Sequence, residues 1–342
     1  MTFLEKRFSR RQFLQLIGAG ALAALLPKPT LWEASAQGAR KRPQLGRVCY
    51  WNTFVYSEPS VRSKVTAYLD YDDLFRLPEV TIAPDNFDKP KPWYQLADDQ
   101  FVEAGWIQPV TYEPNVSFEP IPEGGCLGEQ TVPIITVNTE PGGWRTQRKY
   151  YFSSTHWVMG RHEDSHGLPW YELIDDVNGG SYYVRAYALR LVPKEEFEPI
   201  SPELPLEAKH LELSLSDQTV RAFENNKQVF EAVVSTGLAT GSTPLGTFIT
   251  SRKRPTRRMV NEPASENFYD LPGVPWVSYF TDNGVAFHGA YWHANWGHRM
   301  SNGCINMKPD EAKWIYRWCD PKVPFNERYV MEKYGTRVEV LP

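Results

Sequence analysis

Near the C-terminal end the chain reads VAFHGAYWHANWGHRMSNGCINM from Val285 to Met307, a stretch holding one cysteine and three histidines among aromatics. A thiol becomes a nucleophile at neutral pH when a base takes its proton. The oxyanion it then creates needs backbone N–H groups to meet it. Ser301-Asn302-Gly303-Cys304 supplies the thiol, and the glycine beside it permits a tight, exposed turn of free N–H groups. His288, sixteen positions upstream, ends an apolar run, and Gly289 lets the chain turn sharply beside it, so His288 is the preferred base. His293 and His298 are its rivals. With Cys304 the pattern H-x4-H-x4-H also resembles a zinc ligand set. A five-residue spacing fits neither a helix face nor strand alternation, and no carboxylate lies in the stretch. No metal and no cofactor is therefore expected. His293 and His298 are assigned to a loop lining the cleft, with Trp292 and Trp296 as its walls. The competing reading of Cys304 is a small buried hydrophobe, and on spacing alone it stands level with catalysis.

The rest of the chain must deliver and hold this stretch. At 342 residues two or three domains are expected. A 42% hydrophobic and 23% charged composition is that of a soluble globular protein. The 12 Trp, 18 Tyr and 28 Pro favour short strands and rigid loops over long helices. A formal net charge of −4 gives a nucleic-acid partner no support. Ser9-Arg10-Arg11-Gln12-Phe13-Leu14 is a twin-arginine pattern, followed by an apolar run to Leu26 and a small-residue cleavage site at Ala34-Ser35-Ala36. Residues 1–36 are read as a twin-arginine signal peptide. The protein is then exported to the cell wall, the periplasm or the extracellular face, and touches a membrane only through the leader if it stays uncut. The mature chain keeps 32 basic and 39 acidic residues, a net −7. Of the four cysteines, Cys49 and Cys126 form the expected bridge, and Cys319 sits on a predicted helix as a buried apolar residue.

Residues 46–112 alternate short β-type runs with turns, and 113–133 read as a linker punctuated by Pro and Gly. Residues 134–192 repeat the theme. Pro92-Trp93-Tyr94-Gln95-Leu96-Ala97-Asp98-Asp99 recurs 77 residues on as Pro169-Trp170-Tyr171-Glu172-Leu173-Ile174-Asp175-Asp176. The W-Y-x-L strand with its acidic turn resembles bacterial SH3-like modules, which implies two small β-barrels and, by function, a hold on cell-wall glycan or peptide. The alternative is that the Trp and Tyr fill two small cores. His156, His162 and His166 have no partner pattern and read as surface. Residues 193–207 are a Pro/Glu linker, stiff and extended.

From Lys209 a third domain, 209–342, begins. Leu211, Leu213 and Leu215 alternate with polar residues as in a half-buried strand. Thr219 to Phe223 pairs with Val229 to Ser235 through an Asn225-Asn226 hairpin turn. Gly241 to Gly246 is a loop leading to a strand at Thr247–Thr250. Residues 252–275, polar, basic and Pro-rich, are expected to be a long loop of the functional kind. Strands resume at Val277–Phe280 and Val285–Phe287, a helix runs from Asp310 to Cys319 with Ala312, Ile315, Tyr316 and Cys319 on one face, and Thr336–Leu341 closes the domain.

Four segments of 209–342 together resemble the L,D-transpeptidase catalytic domain of the YkuD-like family. They are LSLSDQTVRAFENNKQVFEAVVSTG, Thr243-Pro244-Leu245-Gly246-Thr247-Phe248, Phe287-His288-Gly289, and Ser301 to Met307. The resemblance implies a mainly β fold overall, two SH3-like β-barrel modules followed by a β-rich catalytic domain with one C-terminal-side helix. It implies a cysteine mechanism acting on peptidoglycan stem peptides by a monomer. Cys304 would attack a stem tetrapeptide, His288 would serve as base and then acid, and the N–H groups of Asn302, Gly303 and Cys304 would hold the oxyanion. The catalytic residues expected are thus Cys304, His288, Gly303 and Asn302, with Gly289, Tyr291, Trp292, Ser301 and Asn306 around the substrate. The family has histidine where this chain has Asn302. An L,D-carboxypeptidase, with water as acceptor, and a non-catalytic peptidoglycan-binding protein are the alternatives.

Overall fold

A computed structural model describes residues 43–78, 81–82, 91–265 and 268–342, so the expected leader lies outside the described residues. Two compact units divide the chain, Met1–Tyr112 and Glu113–Pro342. Among the described residues no helix is long and apolar enough to cross a membrane.

The first unit is built from strands too short to bury a face alone. A three-stranded sheet sets Leu45–Val48 between Leu74–Arg76 and Ile107–Val110. A five-stranded sheet runs Val65–Leu69, Thr53–Tyr56, Gln100–Glu103, Trp93–Ala97, Thr81–Ile82. Their inward residues, among them Val48, Val55, Phe75, Val102 and Ile107, form one core. Arg47 is buried within it, and its guanidinium is satisfied by Gln108 at 2.8 Å and Asp72 at 3.1 Å. A buried charge needs such partners. Trp93 of the repeat is buried. So is its counterpart Trp170 in the second unit, as expected of large aromatics in small cores.

In the second unit a seven-stranded antiparallel sheet runs Arg145–Tyr151, Ile134–Asn138, Ser181–Arg185, Pro169–Ile174, Thr155–Glu163, Cys126–Gln130, Leu189–Leu191. The strand Cys126–Gln130 falls in the stretch 113–133 read as a linker, and pairs on both its edges. Pro and Gly punctuation hid it. Cys49 and Cys126 are each buried, and Cys126 carries no disulfide, so the bridge expected between them is not formed. Burial raises both thiol pKa values, that of Cys126 to about 11.

Two five-stranded sheets make up the remainder. In one, Thr219–Glu224 lies between Lys227–Val233 and Lys209–Ser214, and Lys209–Ser214 runs parallel to Arg337–Leu341, whose other edge carries Gly246–Ile249. Leu211 and Leu213 are fully buried by the alternation that predicted them. Asn225 and Asn226 both take positive φ (49° and 64°), which is what a two-residue hairpin turn matching the strand twist requires. In the other sheet the order is Ile305–Met307, Ala286–Gly289, Asp270–Tyr279, Arg252–Val260, Val330–Met331. The helix Pro309–Trp318 packs on it, burying Ala312, Ile315 and Tyr316. One core joins both sheets and the helix.

The segment 252–275 is therefore not a loop. It forms most of a long antiparallel hairpin, Arg252–Val260 with Asp270–Tyr279. Its basic side chains find carboxylates in the turn after the strand Pro169–Ile174 and at Asp270 of the hairpin itself. Arg258 pairs with Asp175 (2.9 Å) and Asp270 (2.7 Å), Arg257 with Asp176 (2.9 Å), and Arg148 with Asp175 from the other side (2.7 Å). Thr155 Oγ1 donates to Pro255 O at 2.9 Å. Gly273, at φ +67°, sits where a Cβ would come within 2.4 Å of the His156 ring. His156 is consequently buried, stacked 3.7 Å over Tyr150, rather than at the surface as read from sequence. Residues 193–207, read as an extended linker, are drawn inward as well. Phe197 is buried against Trp276 and Phe325, a burial worth about 1.5–3 kcal/mol. Glu196 takes ion pairs from Arg190 and Lys313. Burial works against the Glu196 carboxylate, but Arg190 and Lys313 outweigh it and hold its pKa at about 2.

Candidate active site

His288 and the segment of Cys304 are brought together by a parallel strand pair. Ala286–Gly289 pairs with Ile305–Met307 in the register Phe287↔Ile305, His288↔Asn306, Gly289↔Met307. Side chains of paired residues share a sheet face, and alternate residues repeat it. His288 and Asn306 therefore project to one side, and Cys304, two residues before Asn306, starts on the same side. The thiol is partly exposed and packs against the cluster of Val274, Val277 and Ala286, which Tyr279 and Trp292 border. Its Sγ lies 3.7 Å from Gly284 O. Burial raises the thiol pKa above its usual value, partly offset by the Ala286 backbone N–H.

His288 is buried, with Nδ1 at 3.1 Å from Gly289 O. A carbonyl can only accept, so Nδ1 carries the proton and Nε2 keeps the basic lone pair. Burial lowers the imidazole pKa to about 4. Both shifts favour the neutral thiol and neutral imidazole over a preformed ion pair. A base of this kind acts during attack rather than before it.

Three buried imidazoles titrate low for the same reason, desolvation: His156 to about 3, His288 to about 4 and His293 to about 3. Each has a folded pKa below its unfolded value, so the unfolded chain binds the proton first. Stability is then full above about pH 6.5 and falls as pH drops toward about 4. The urea midpoint is expected to decline steadily from about pH 7 to about pH 5, ahead of most carboxylate titration. A midpoint flat over that range would contradict neutral burial of these rings.

The turn before Cys304 is held from within. Ser301 Oγ accepts the Gly303 N–H at 3.0 Å and donates to Cys304 O at 2.6 Å. The Ser301 hydroxyl thus clamps the turn, and the Gly303 N–H, expected to meet the oxyanion, is already bonded to it. Gly303 itself has φ +141°. Met300 N–H and Ser301 N–H both donate to Thr236 O, and Leu238 N–H to Ser301 O. Thr236 is fixed in turn by the buried Gln218, whose Oε1 accepts the Thr236 N–H and whose Nε2 donates to Thr236 Oγ1. The Thr243 hydroxyl accepts the Gly237 N–H at 3.0 Å and donates to Gly303 O at 2.7 Å. Thr243→Val keeps the shape and removes both bonds, leaving buried groups unpaired. The expected cost is about 1–3 kcal/mol by urea unfolding, with turnover falling more than substrate affinity.

The remaining expected contacts divide. Trp292 is half-buried, its ring 5.7 Å from that of His288. Tyr291, expected around the substrate, is buried. Its hydroxyl donates to Pro272 O at 2.6 Å, and its ring stacks on Tyr151 of the seven-stranded sheet. Gly289 is buried where a Cβ would come within 2.9 Å of Pro309 Cα. Asn306 is buried with its carboxamide 2.8 Å from His293 Nε2. His293, expected in a cleft-lining loop, is only 3% exposed, because its ring packs between Trp292 and Trp296 and bonds Asn306. Asn302 is exposed. Sequence reasoning missed Gln218, Thr243 as a positioning group, and Tyr151. The Thr243–Phe248 segment was the one available signal. Among the described residues no group of three or more His, Cys, Asp or Glu could hold a metal ion.

Residues 208–340 match YkuD, the L,D-transpeptidase catalytic domain. Among solved structures, an L,D-transpeptidase of Enterococcus faecium is 23% identical over 40% of this chain and 50% of its own, with a TM-score of 0.32. An L,D-transpeptidase from Mycobacterium smegmatis is 16% identical over 68% of this chain and 99% of its own, at a TM-score of 0.33. One from Stackebrandtia nassauensis is 23% identical over 44% and 60%, at 0.28. The matched region spans about half the length of the Enterococcus protein. No curated protein matches.

Proposed function

We propose that the chain is an exported cysteine L,D-transpeptidase that cross-links peptidoglycan. The observation that carries the reading is the register His288↔Asn306, which sets the basic His288 and the Cys304 turn on one face of a domain matched by the L,D-transpeptidase family. In the proposed reaction Cys304 Sγ attacks the carbonyl of the L,D peptide bond in a stem tetrapeptide as His288 Nε2 takes the thiol proton. The oxyanion is met by the N–H groups of Asn302 and Cys304, since that of Gly303 is bonded to Ser301. The intermediate collapses to a thioester, and the leaving amine receives the proton from His288. An amine on a neighbouring stem then attacks the thioester, and the thiol is regenerated. Asn302, exposed and needed only for its N–H, serves in place of histidine. Trp292 borders the substrate. Residues 46–112 and 134–192 are proposed as SH3-like modules that tether the enzyme to the wall, and the twin-arginine leader as its route there.

The burial that raises the Cys304 thiol favours a second reading, a peptidoglycan-binding protein whose thiol is inert. Incubation of the mature protein with a disaccharide-tetrapeptide, followed by mass spectrometry, separates the cases. Cross-linked dimers are expected. Release of D-alanine without dimers marks a carboxypeptidase, and an unchanged substrate together with an unreactive Cys304 marks the binding protein.

A further inference from the structure

His293 is buried beside the site, and the reaction above makes no use of it. Two contacts fix its chemistry. Its Nδ1 accepts the backbone N–H of Asn295 at 3.1 Å, and its Nε2 lies 2.8 Å from the end of the Asn306 carboxamide. A ring nitrogen that accepts an N–H bears no proton, so in the neutral ring the proton is on Nε2. Nε2–H is a donor and requires an oxygen opposite it. The two ends of a carboxamide have the same shape, so the hydrogen-bond partners decide which is which. With the nitrogen toward His293, two donors face each other and Asn306 Oδ1 is buried with no partner. With the oxygen toward His293, the conflict is removed, and the NH2 group takes the other end.

We propose that His293 is a positioning residue: it pins the Asn306 carboxamide so that its oxygen faces His293 and its NH2, not its oxygen, shares the buried ground beside His288. This deepens the transpeptidase reading and rests on it for its catalytic meaning. Asn306 is the register partner of His288 on the adjacent strand. An NH2 group there cannot accept a proton from the imidazole and gives the imidazolium no support. The His288 Nε2 lone pair stays free for the thiol. An oxygen at that place would stabilise the imidazolium and keep the base protonated to higher pH. The other titratable groups facing His288 are His293, which follows its strand, and Cys304, just before the next strand. The elements packed on its strand carry Tyr279, Glu311 and Lys313, and burial with the Gly289 carbonyl alone sets the His288 environment.

The test is nitrogen-15 NMR of the imidazole rings in the full mature chain, with pH titration of His288 in the wild type, His293→Phe and Asn306→Asp. Expected are an Nε2–H tautomer for His293 and a His288 titration that moves up by about one pH unit or more in His293→Phe. Asn306→Asp, which places an oxygen at both ends, calibrates that shift. The acid limb of the kcat/KM profile should move with it while the plateau persists. An Nδ1–H tautomer for His293 overturns the proposal. So does an unchanged His288 titration in folded His293→Phe. If that variant does not fold, the wild-type tautomer decides. Absence of cross-linking by the wild type would refute the proposed function instead, and the NMR result would still decide the role of His293.

Discussion

Cys304→Ala is expected to abolish dimer formation from a disaccharide-tetrapeptide, by about 10⁴-fold or more, while the protein stays folded. The thiol supplies the only proposed path to a thioester, so its loss removes the covalent route rather than slowing it. His288→Gln should fall nearly as far, because an attacking thiol raised by burial has no other proposed route for its proton. The two groups act as one unit, so the double variant should be no worse than the poorer single one. That non-additivity is the informative result. If the losses multiplied, His288 would be contributing to something other than activation of Cys304. Stability should change by less than about 1 kcal/mol in Cys304→Ala, since the thiol is partly exposed and one heavy atom is removed. Mass spectrometry of the products and urea unfolding of each variant check both halves. Persistent dimers in Cys304→Ala would sink the mechanism.

What was legible in the sequence depended on how local the deciding contacts are. The alternation at Leu211 and Leu213, the Asn225-Asn226 turn and the helix over Pro309–Trp318 are set within a few residues, and each forms as read. Cys304 and His288 stood out because glycine flanks both. The hairpin Arg252–Tyr279 did not stand out. Its arginines carry the polarity of a loop, and the carboxylates that balance them, Asp175 and Asp176, lie about 80 positions earlier. Those two aspartates are the acidic end of the internal repeat. The repeat itself was visible, but not that its second copy would meet the arginines. His156 was misread for the same reason: Tyr150 and Gly273, which enclose it, belong to different sheets. In 193–207 Pro and Glu describe stiffness and charge, whereas Phe197 and the partners of Glu196 decide where the segment packs. Within the site, the sequence singled out residues but not the hydrogen bonds that hold them. Ser301, Tyr291 and Asn306 were expected around the substrate, and the structure adds that the Ser301 and Tyr291 hydroxyls bond backbone carbonyls and the Asn306 carboxamide meets His293.

Gly303→Ala is expected to lose about 2–4 kcal/mol of stability and about 100-fold or more in turnover, for two separable reasons. The first is conformational. At φ +141° an alanine is strained whatever the space around it, a cost of about 1–3 kcal/mol. Alanine also narrows the unfolded ensemble, which offsets about 0.4–1 kcal/mol of that. The second reason is contact. A Cβ at Gly303 would lie 2.5 Å from Ser242 O, a backbone atom that cannot swing aside. Either the Ser242–Thr243 segment or the Cys304 turn must move, and Thr243 Oγ1 bonds Gly303 O across that same gap. A displacement near 1 Å at the nucleophile is enough to cost about 100-fold. Gly241→Ala separates the two causes, since Gly241 has φ +79° and open space where a Cβ would go. It should show the strain in urea unfolding and keep its activity. If Gly241→Ala and Gly303→Ala lose turnover equally, the contact with Ser242 is not what places Cys304, and the loop Leu238–Gly246 would have to act on the site in another way.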